Sequence, residues 1–349
     1  AVLPKSVMLK AQEEFVNYRG SGYGIVEESH RAPLFEEVIQ AAEANVRKLM
    51  GISDDYKVLF LQGGASLQFA MVPMNLMVPG RKIAFCDTGE WSHKAIKEAR
   101  ILGADIDLVY DGSASNFSTI GDPSAWTFGQ DAAYAHICSN NTIYGTELFH
   151  VPQTQVPVIA DMSSDIFSRA IDVSQFGLIY AGAQKNLGPA GMALIIVKEE
   201  LLGRADRIIP NFFDYRAHIA GKSMYNTPPV FAIYVSLLNL RWLKEKGGIA
   251  AIEQENIVKA RALYEEIDRN RYFKATADPS DRSRMNVVFV AEDKEIEGAF
   301  LKFANERELV GLKGHRSVGG FRASIYNAMN IQGVNALIDT MQEFEEKNK

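Results

Sequence analysis

Two charged residues stand where chemistry is easily built. Lys185 lies in Y-A-G-A-Q-K-N-L-G-P-A-G-M (Tyr180–Met192), the one lysine among small residues and glycines behind a hydrophobic run. An amine in that setting leaves room for a planar group to approach. Partial burial also favours the neutral, nucleophilic form that condenses with a carbonyl. Read alone, Lys185 equally fits a solvated lysine on a glycine-rich loop. Asp161 closes the apolar run P-V-I-A-D. A carboxylate at the carboxyl end of a buried parallel strand lies where open α/β sheets bind ligands, although D-x-S also suits an Asx turn. The two end neighbouring strand patterns, and that pairing is informative. A carboxylate that holds a protonated pyridine nitrogen, beside a lysine that condenses with an aldehyde, serves pyridoxal phosphate.

Three further segments bear on the same chemistry. L-F-L-Q-G-G-A-S-L-Q-F (Leu59–Phe69) reads as a strand, a Gly-Gly turn and a helix start. The unpaired amides and dipole of a helix start attract one phosphate. The segment is neither G-x-G-x-x-G nor a P-loop, since no G-K-[ST] follows. Trp91, in T-G-E-W-S-H, can stack on a planar ring or serve as a core tryptophan. His30 and Arg31 form one basic cluster, and His315, Arg316 and Arg322 form another on a glycine-rich stretch. Arginine forks suit carboxylate and phosphate, so these clusters fit a doubly anionic substrate, or else solvated loops.

The elements that must position these residues follow from periodicity. Apolar runs at Lys57–Leu61, Lys82–Cys86, Ile106–Val109, Ala133–Cys138, Val156–Ala160, Gly177–Ala181 and Ala193–Val197 read as strands. Helical patterns such as Leu67–Met77 and Ser92–Leu102 lie between several of them, which predicts an α/β layer with a mainly parallel sheet. After Asn226-Thr227-Pro228-Pro229 come two long helical patterns, Val230–Lys246 and Ile249–Arg269. A strand at Asn286–Ala291, a helix near Glu295–Arg307, a strand at Arg322–Tyr326 and a last helix from Val334 then suggest a smaller α+β domain. The division expected is a large domain over 16–250 and a small one built from 1–15 and 251–349.

With 349 residues, 47% hydrophobic, the chain has material for more than one core. A net charge of −6 argues against a nucleic-acid or anionic-membrane partner. Two cysteines, Cys86 and Cys138, make no disulfide framework and read as buried thiols. The N-terminus does not read as a signal peptide, and no apolar run approaches the ~18 residues of a membrane span. A cytoplasmic enzyme without a metal site is the expectation.

In order along the chain, S-H-R (29–31), G-G-A-S-L-Q-F (63–69), A-D-M-S-S-D (160–165), A-G-A-Q-K-N-L-G-P-A-G (181–191), M-Y-N-T-P-P (224–229) and G-L-K-G-H-R-S-V-G-G-F-R-A-S-I-Y-N-A (311–328) resemble the phosphoserine aminotransferases. These are fold-type-I pyridoxal-phosphate enzymes of the class V group. The resemblance implies that Lys185 forms the Schiff base and later shuttles a proton, that Asp161 binds the pyridine nitrogen and that Trp91 stacks on the ring. It further implies that Thr142 bonds the 3′-oxygen and that Ala65, Ser66 and Gln184 hold the cofactor phosphate. Asn226 and Thr227 would reach that phosphate from a partner subunit, which implies a homodimer. His30, Arg31, His315, Arg316 and Arg322 would bind substrate phosphate and carboxylate.

Many members of the group carry Arg at the position of Ser66, so the contact here would use amide and hydroxyl. The group usually opens on an F-x-S-G-P-A-type segment, and this chain starts within it, so the true N-terminus is expected upstream. The implied reaction is reversible transamination between glutamate with 3-phosphohydroxypyruvate and 2-oxoglutarate with O-phosphoserine. A cysteine desulfurase would need a nucleophilic Cys on a mobile loop, and a dehydrogenase would need a dinucleotide fingerprint; neither is seen. A non-catalytic α/β binding module gives no reason for Asp161, Lys185 and the anion clusters to occur together.

Overall fold

The computed structural model describes residues 2–348. The chain opens with helices α1 (Lys5–Val16) and α2 (Pro33–Met50) and then builds its large sheet. The strands are β1 (Tyr56–Leu61), β2 (Ile83–Asp87), β3 (Ile106–Asp111) and β4 (Tyr134–Cys138), a short two-stranded ladder β5 (Asn140–Asn141) and β6 (Thr146–Glu147), then β7 (Val158–Asp161), β8 (Leu178–Gly182) and β9 (Ala193–Lys198). Between them lie α3 (Gly64–Leu76) and α4 (Glu90–Ile101), and after β9 comes the short α5 (Tyr215–Ala220).

Seven of these strands join in the order β1-β9-β8-β7-β4-β2-β3. Pairing is parallel from β8 through β3, while β9 runs antiparallel to both β8 and β1. The carboxyl ends of β1, β2, β4, β7 and β8 therefore open on one edge of the sheet. The central strands β4, β7 and β8 are buried throughout, which is why they read as continuous apolar runs and not as alternating ones.

α6 (Val230–Glu245) and α7 (Gly248–Arg269) lead into a three-stranded antiparallel sheet, β10 (Phe273–Ala275), β11 (Asn286–Ala291) and β12 (Phe321–Ser324), covered by α8 (Lys294–Asn305) and α9 (Ile331–Lys347). A separate core fills this part, with Phe273, Phe289, Phe300, Phe321 and Phe344 packed edge-on and stacked. Ile249 and Ile252 on α7 belong to the large-sheet core, whereas Ala260, Leu263 and Ile267 belong to the small one. One continuous helix thus spans both cores, and the change falls inside it rather than in a linker.

The N-terminal stretch 1–15 was expected beside the small domain; its described part lies mostly in α1. α1 packs along α6, and Val7 and Ala11 enter the core under the large sheet. The apolar stripe of α1 finds its partner on the large-domain helix layer, a choice that local pattern does not encode. Among the described residues no helix is long and apolar enough to cross a membrane, and both cysteines are free and buried.

Candidate active site

Asp161 is the last residue of β7, and across the ladder it pairs with Cys138 of β4 and with Tyr180 of β8. β8 ends at Gly182, and Lys185 follows in the turn beyond it. Both side chains line one cavity of about 400 Å³ at the carboxyl edge of the sheet, with Gly63, Gly64, Ala65, Ser66, Trp91 and Gln184 among its walls. Lys185 Nζ stands 5.2 Å from the centroid of the Trp91 ring.

The floor of the cavity is a helix start. Gly63 and Gly64 have φ of +82° and +59°, a left-handed step that glycine takes without cost. It turns β1 directly into α3. No side chain caps that helix, so its first amides, at Ala65 and Ser66, are left for a ligand. Gln184 lies against the same turn: a Cβ added at Gly182 would meet Gln184 Oε1 at 2.9 Å and the Ala65 nitrogen at 3.4 Å.

The aromatic wall is fixed from below. Trp91 lies in the first turn of α4, and its Nε1 donates to Thr142 Oγ1 at 3.0 Å. Gly89, just before the helix, has φ +144°, and a Cβ there would fall 2.0 Å from Asn141 Nδ2. Only glycine lets the two loops close enough for that bond. Thr142 accepts from Trp91 and keeps its own hydroxyl hydrogen to donate onward. Arg322, on β12 of the small domain, donates through Nη1 to the Thr142 carbonyl at 3.1 Å. One threonine therefore joins Trp91 to an arginine on the smaller sheet.

Electrostatics set the two ionisable groups against each other. Burial pushes Asp161 above the ordinary carboxylate value, partly offset by hydrogen bonds from Ser163 and by Lys185. Ser163 N donates to Asp161 Oδ1 at 2.9 Å. Burial lowers the Lys185 amine, opposed by Asp161, while Arg322 lowers it further. A lowered amine is readier to act as a nucleophile and base. A buried carboxylate that lacks full compensation is a place made for a cation.

Of the residues predicted from sequence, Ala65, Ser66, Trp91, Asp161, Gln184 and Lys185 meet in the cavity. Thr142 and Arg322 adjoin it through the bonds above. Asn226 and Thr227 do not enter it. They grip the neighbouring turn of their own chain, with Asn226 Nδ2 donating to Gln62 Oε1 at 3.1 Å and Gln62 Nε2 donating to the Thr227 carbonyl. His30 and His315 are half-buried and Arg31 and Arg316 exposed on loops away from the lining. Sequence reasoning missed Ser163, which supports Asp161 and whose Oγ accepts from Gly182 N at 3.0 Å. It also missed Asn140 and Cys138 in the wall. Ser163 had a signal: a serine two residues after Asp161 is the Asx-turn spacing.

The model of the aminotransferase class-V family matches residues 1–337. A phosphoserine aminotransferase of Listeria monocytogenes is 51% identical over all of this chain and 95% of its own length. One from Bacteroides thetaiotaomicron is 50% identical over 99% and 96%. The chain belongs to the class-V aminotransferases, in the phosphoserine aminotransferase family. The crystal structure of phosphoserine aminotransferase from Bacillus circulans subsp. alkalophilus superposes with a TM-score of 0.97 at 42% identity, covering 100% of this chain and 97% of that one. The pyridoxal-phosphate-bound enzyme from Trichomonas vaginalis gives 0.93 at 38%, covering 98% and 97%.

The chain is thus a pyridoxal-phosphate-dependent aminotransferase of the fold-type-I class, and its residues fit the cofactor. An under-compensated buried carboxylate, uncapped helix amides, a tryptophan face and a lowered amine answer in turn to a ring nitrogen, a phosphate, a planar ring and an aldehyde.

Proposed function

We propose that the chain interconverts glutamate plus 3-phosphohydroxypyruvate with 2-oxoglutarate plus O-phosphoserine, a step of serine biosynthesis. The observation that carries this reading is the shared cavity of Lys185 and Asp161, with Arg322 brought beside it on Thr142. Pyridoxal phosphate bound there supplies the electron sink for negative charge developing at the substrate Cα. Asp161 holds the ring nitrogen, the Ala65 and Ser66 amides with Gln184 hold the phosphate, and Trp91 covers one face. Thr142 offers its hydroxyl hydrogen to the 3′-oxygen. Lys185 Nζ would carry the proton between the substrate Cα and C4′ of the cofactor.

Arg322 presents a fork to the substrate carboxylate. His30, Arg31, His315 and Arg316 supply charge for a second anionic end. They lie on loops outside the cavity, and Asn226 and Thr227 sit on an outer turn; both facts favour a homodimer whose sites are completed in trans. Residues 16–250 would form the cofactor-binding domain, which also carries His30 and Arg31, and 251–349 the smaller domain that carries His315, Arg316 and Arg322. Cytoplasmic residence fits two buried, unpaired thiols. The same burial raises both thiols and disfavours a cysteine desulfurase.

Arg322→Ala tests the assignment. Its kcat/KM for both glutamate and O-phosphoserine should fall about 100-fold while the visible cofactor band persists. Unchanged use of both substrates would reject Arg322 as the carboxylate clamp.

A further inference from the structure

α7 carries a buried lysine that the chemistry above does not use. Lys259 is 2% exposed, and its Nζ donates to three main-chain carbonyls, Ile325 and Tyr326 at 3.0 Å each and Met329 at 2.9 Å. An ammonium has three hydrogens, and all three are spent. Burial lowers its pKa to about 8, so the charged form still predominates at neutral pH. The three carbonyls belong to one short turn, between the end of β12 at Ser324 and the start of α9 at Ile331.

That turn has a hold on both halves of the site. Three residues before Ile325 stands Arg322, on the Thr142 carbonyl. Within the turn, Asn327 N donates to Asn186 Oδ1 at 3.0 Å, and Asn327 Nδ2 donates to the Phe167 carbonyl at 3.0 Å. Asn186 is the neighbour of Lys185. Asn256, three residues before Lys259 on α7, closes the arrangement: its Nδ2 donates to Asn327 Oδ1 at 2.9 Å and to the Ser168 carbonyl at 3.0 Å. Asn186, Asn256 and Asn327 are all buried, so water does not readily replace these bonds.

We propose that Lys259 is a positioning residue for the active site: by gathering the carbonyls of Ile325, Tyr326 and Met329 it fixes the turn that sets Arg322 on Thr142 and Asn327 on the Lys185 loop. The inference rests on the reading of Lys185 and Arg322 given above. A lysine that merely held the small domain together would alter stability and leave substrate affinity alone. A positioning lysine moves the carboxylate fork and loosens the Lys185 loop.

Lys259→Met keeps an unbranched side chain, one atom shorter, and removes the donors. In the pyridoxal-phosphate-loaded enzyme, KM for both glutamate and O-phosphoserine should rise about 10-fold, with a smaller change in kcat. Amide hydrogen exchange should quicken at 319–329 and at 183–188, with β10 and α8 still protected. Asn327→Ala, which cuts the link to Asn186 and leaves Lys259 in place, should quicken exchange at 183–188 and lower kcat. The proposal is overturned if folded Lys259→Met keeps both KM values, or if exchange rises evenly through the small domain. Should Lys259→Met fail to fold, wild-type kinetics and exchange in Asn327→Ala overturn it equally. A wild-type enzyme inert toward both substrates would count against the functional reading, while the exchange pattern would still decide the role of Lys259.

Discussion

Behind the cavity wall, His136 Nε2 and the Tyr180 hydroxyl share a hydrogen bond of 2.9 Å between β4 and β8. His136 lies two residues before Cys138 on the same face of β4, 2% exposed. Burial lowers its pKa from 6.5 to about 3, so the imidazole is neutral in the folded chain and protonates readily only when unfolded. The sign follows. Above pH 6.5 the group costs nothing; between 6.5 and 3 the unfolded state binds the extra proton, and stability is lost as pH falls. Buried Asp161, Asp165 and Glu147, all raised, work in the opposite sense. The clean observable is therefore a difference. His136→Gln keeps a partner for Tyr180, and its stability relative to wild type should improve by about 1.6 kcal/mol between pH 6.5 and 5, the slope approaching ~1.4 kcal/mol per unit as the unfolded histidine becomes fully protonated. Denaturant titrations at the two pH values measure it, and a constant difference contradicts a neutral His136. None of this was visible in A-H-I-C, where a histidine in an apolar run could equally have been a surface residue. Lys185 and Asp161 were legible because each follows or ends an apolar run, whereas Ser163, in the loop after β7, and Asn140, in the short strand β5, reach the cavity only through the folded sheet.

At the scale of elements, the inner strands β4, β7, β8 and β9 of the large sheet could be read because burial on both faces leaves them largely apolar, while the edge strand β3 is only partly buried. Their bounds moved by a residue or two at most. The antiparallel direction of β9 could not be read: A-L-I-I-V-K is equally apolar in either sense, and direction comes from the short turn Ala183–Met192 that sends the chain straight back beside β8. β10, three residues long, carries too few side chains to show a period. α1 illustrates the limit of local pattern best. Its docking on α6 rather than on the small domain depends on a surface formed by distant sequence. A long reach is also seen at β12, where Arg322 meets a carbonyl 180 residues away.

At the scale of the whole molecule, the basic residues that stand apart carry the main consequence. His30, Arg31, His315 and Arg316 were legible as anion clusters, yet one chain does not bring them to the cavity. Asn226 likewise stays on Gln62. The proposed two-fold assembly, in which each chain would lend these loops to the other, would account for both facts. Asn226→Asp would place a carboxylate against the cofactor phosphate, and Lys185→Ala would remove the reactive amine, so each homodimer should be nearly inactive. Mixed in equal amounts and reassociated, the two should recover about one quarter of wild-type activity, since half of the dimers are hybrid and each holds one intact site of two. Sedimentation gives the dimer fraction and the assay gives the recovery. No recovery in confirmed hybrids would mean that Asn226 serves its own chain.

Every role assigned above turns on Lys185 being the residue joined to the cofactor. The decisive measurement is borohydride reduction of the pyridoxal-phosphate-loaded protein, followed by mass mapping of its peptides. Loss of the visible band with one phosphopyridoxyl group on Lys185, and no such labelling in Lys185→Ala, is the expected result. A protein that stays colourless with pyridoxal phosphate, or carries the label on another lysine, would contradict it.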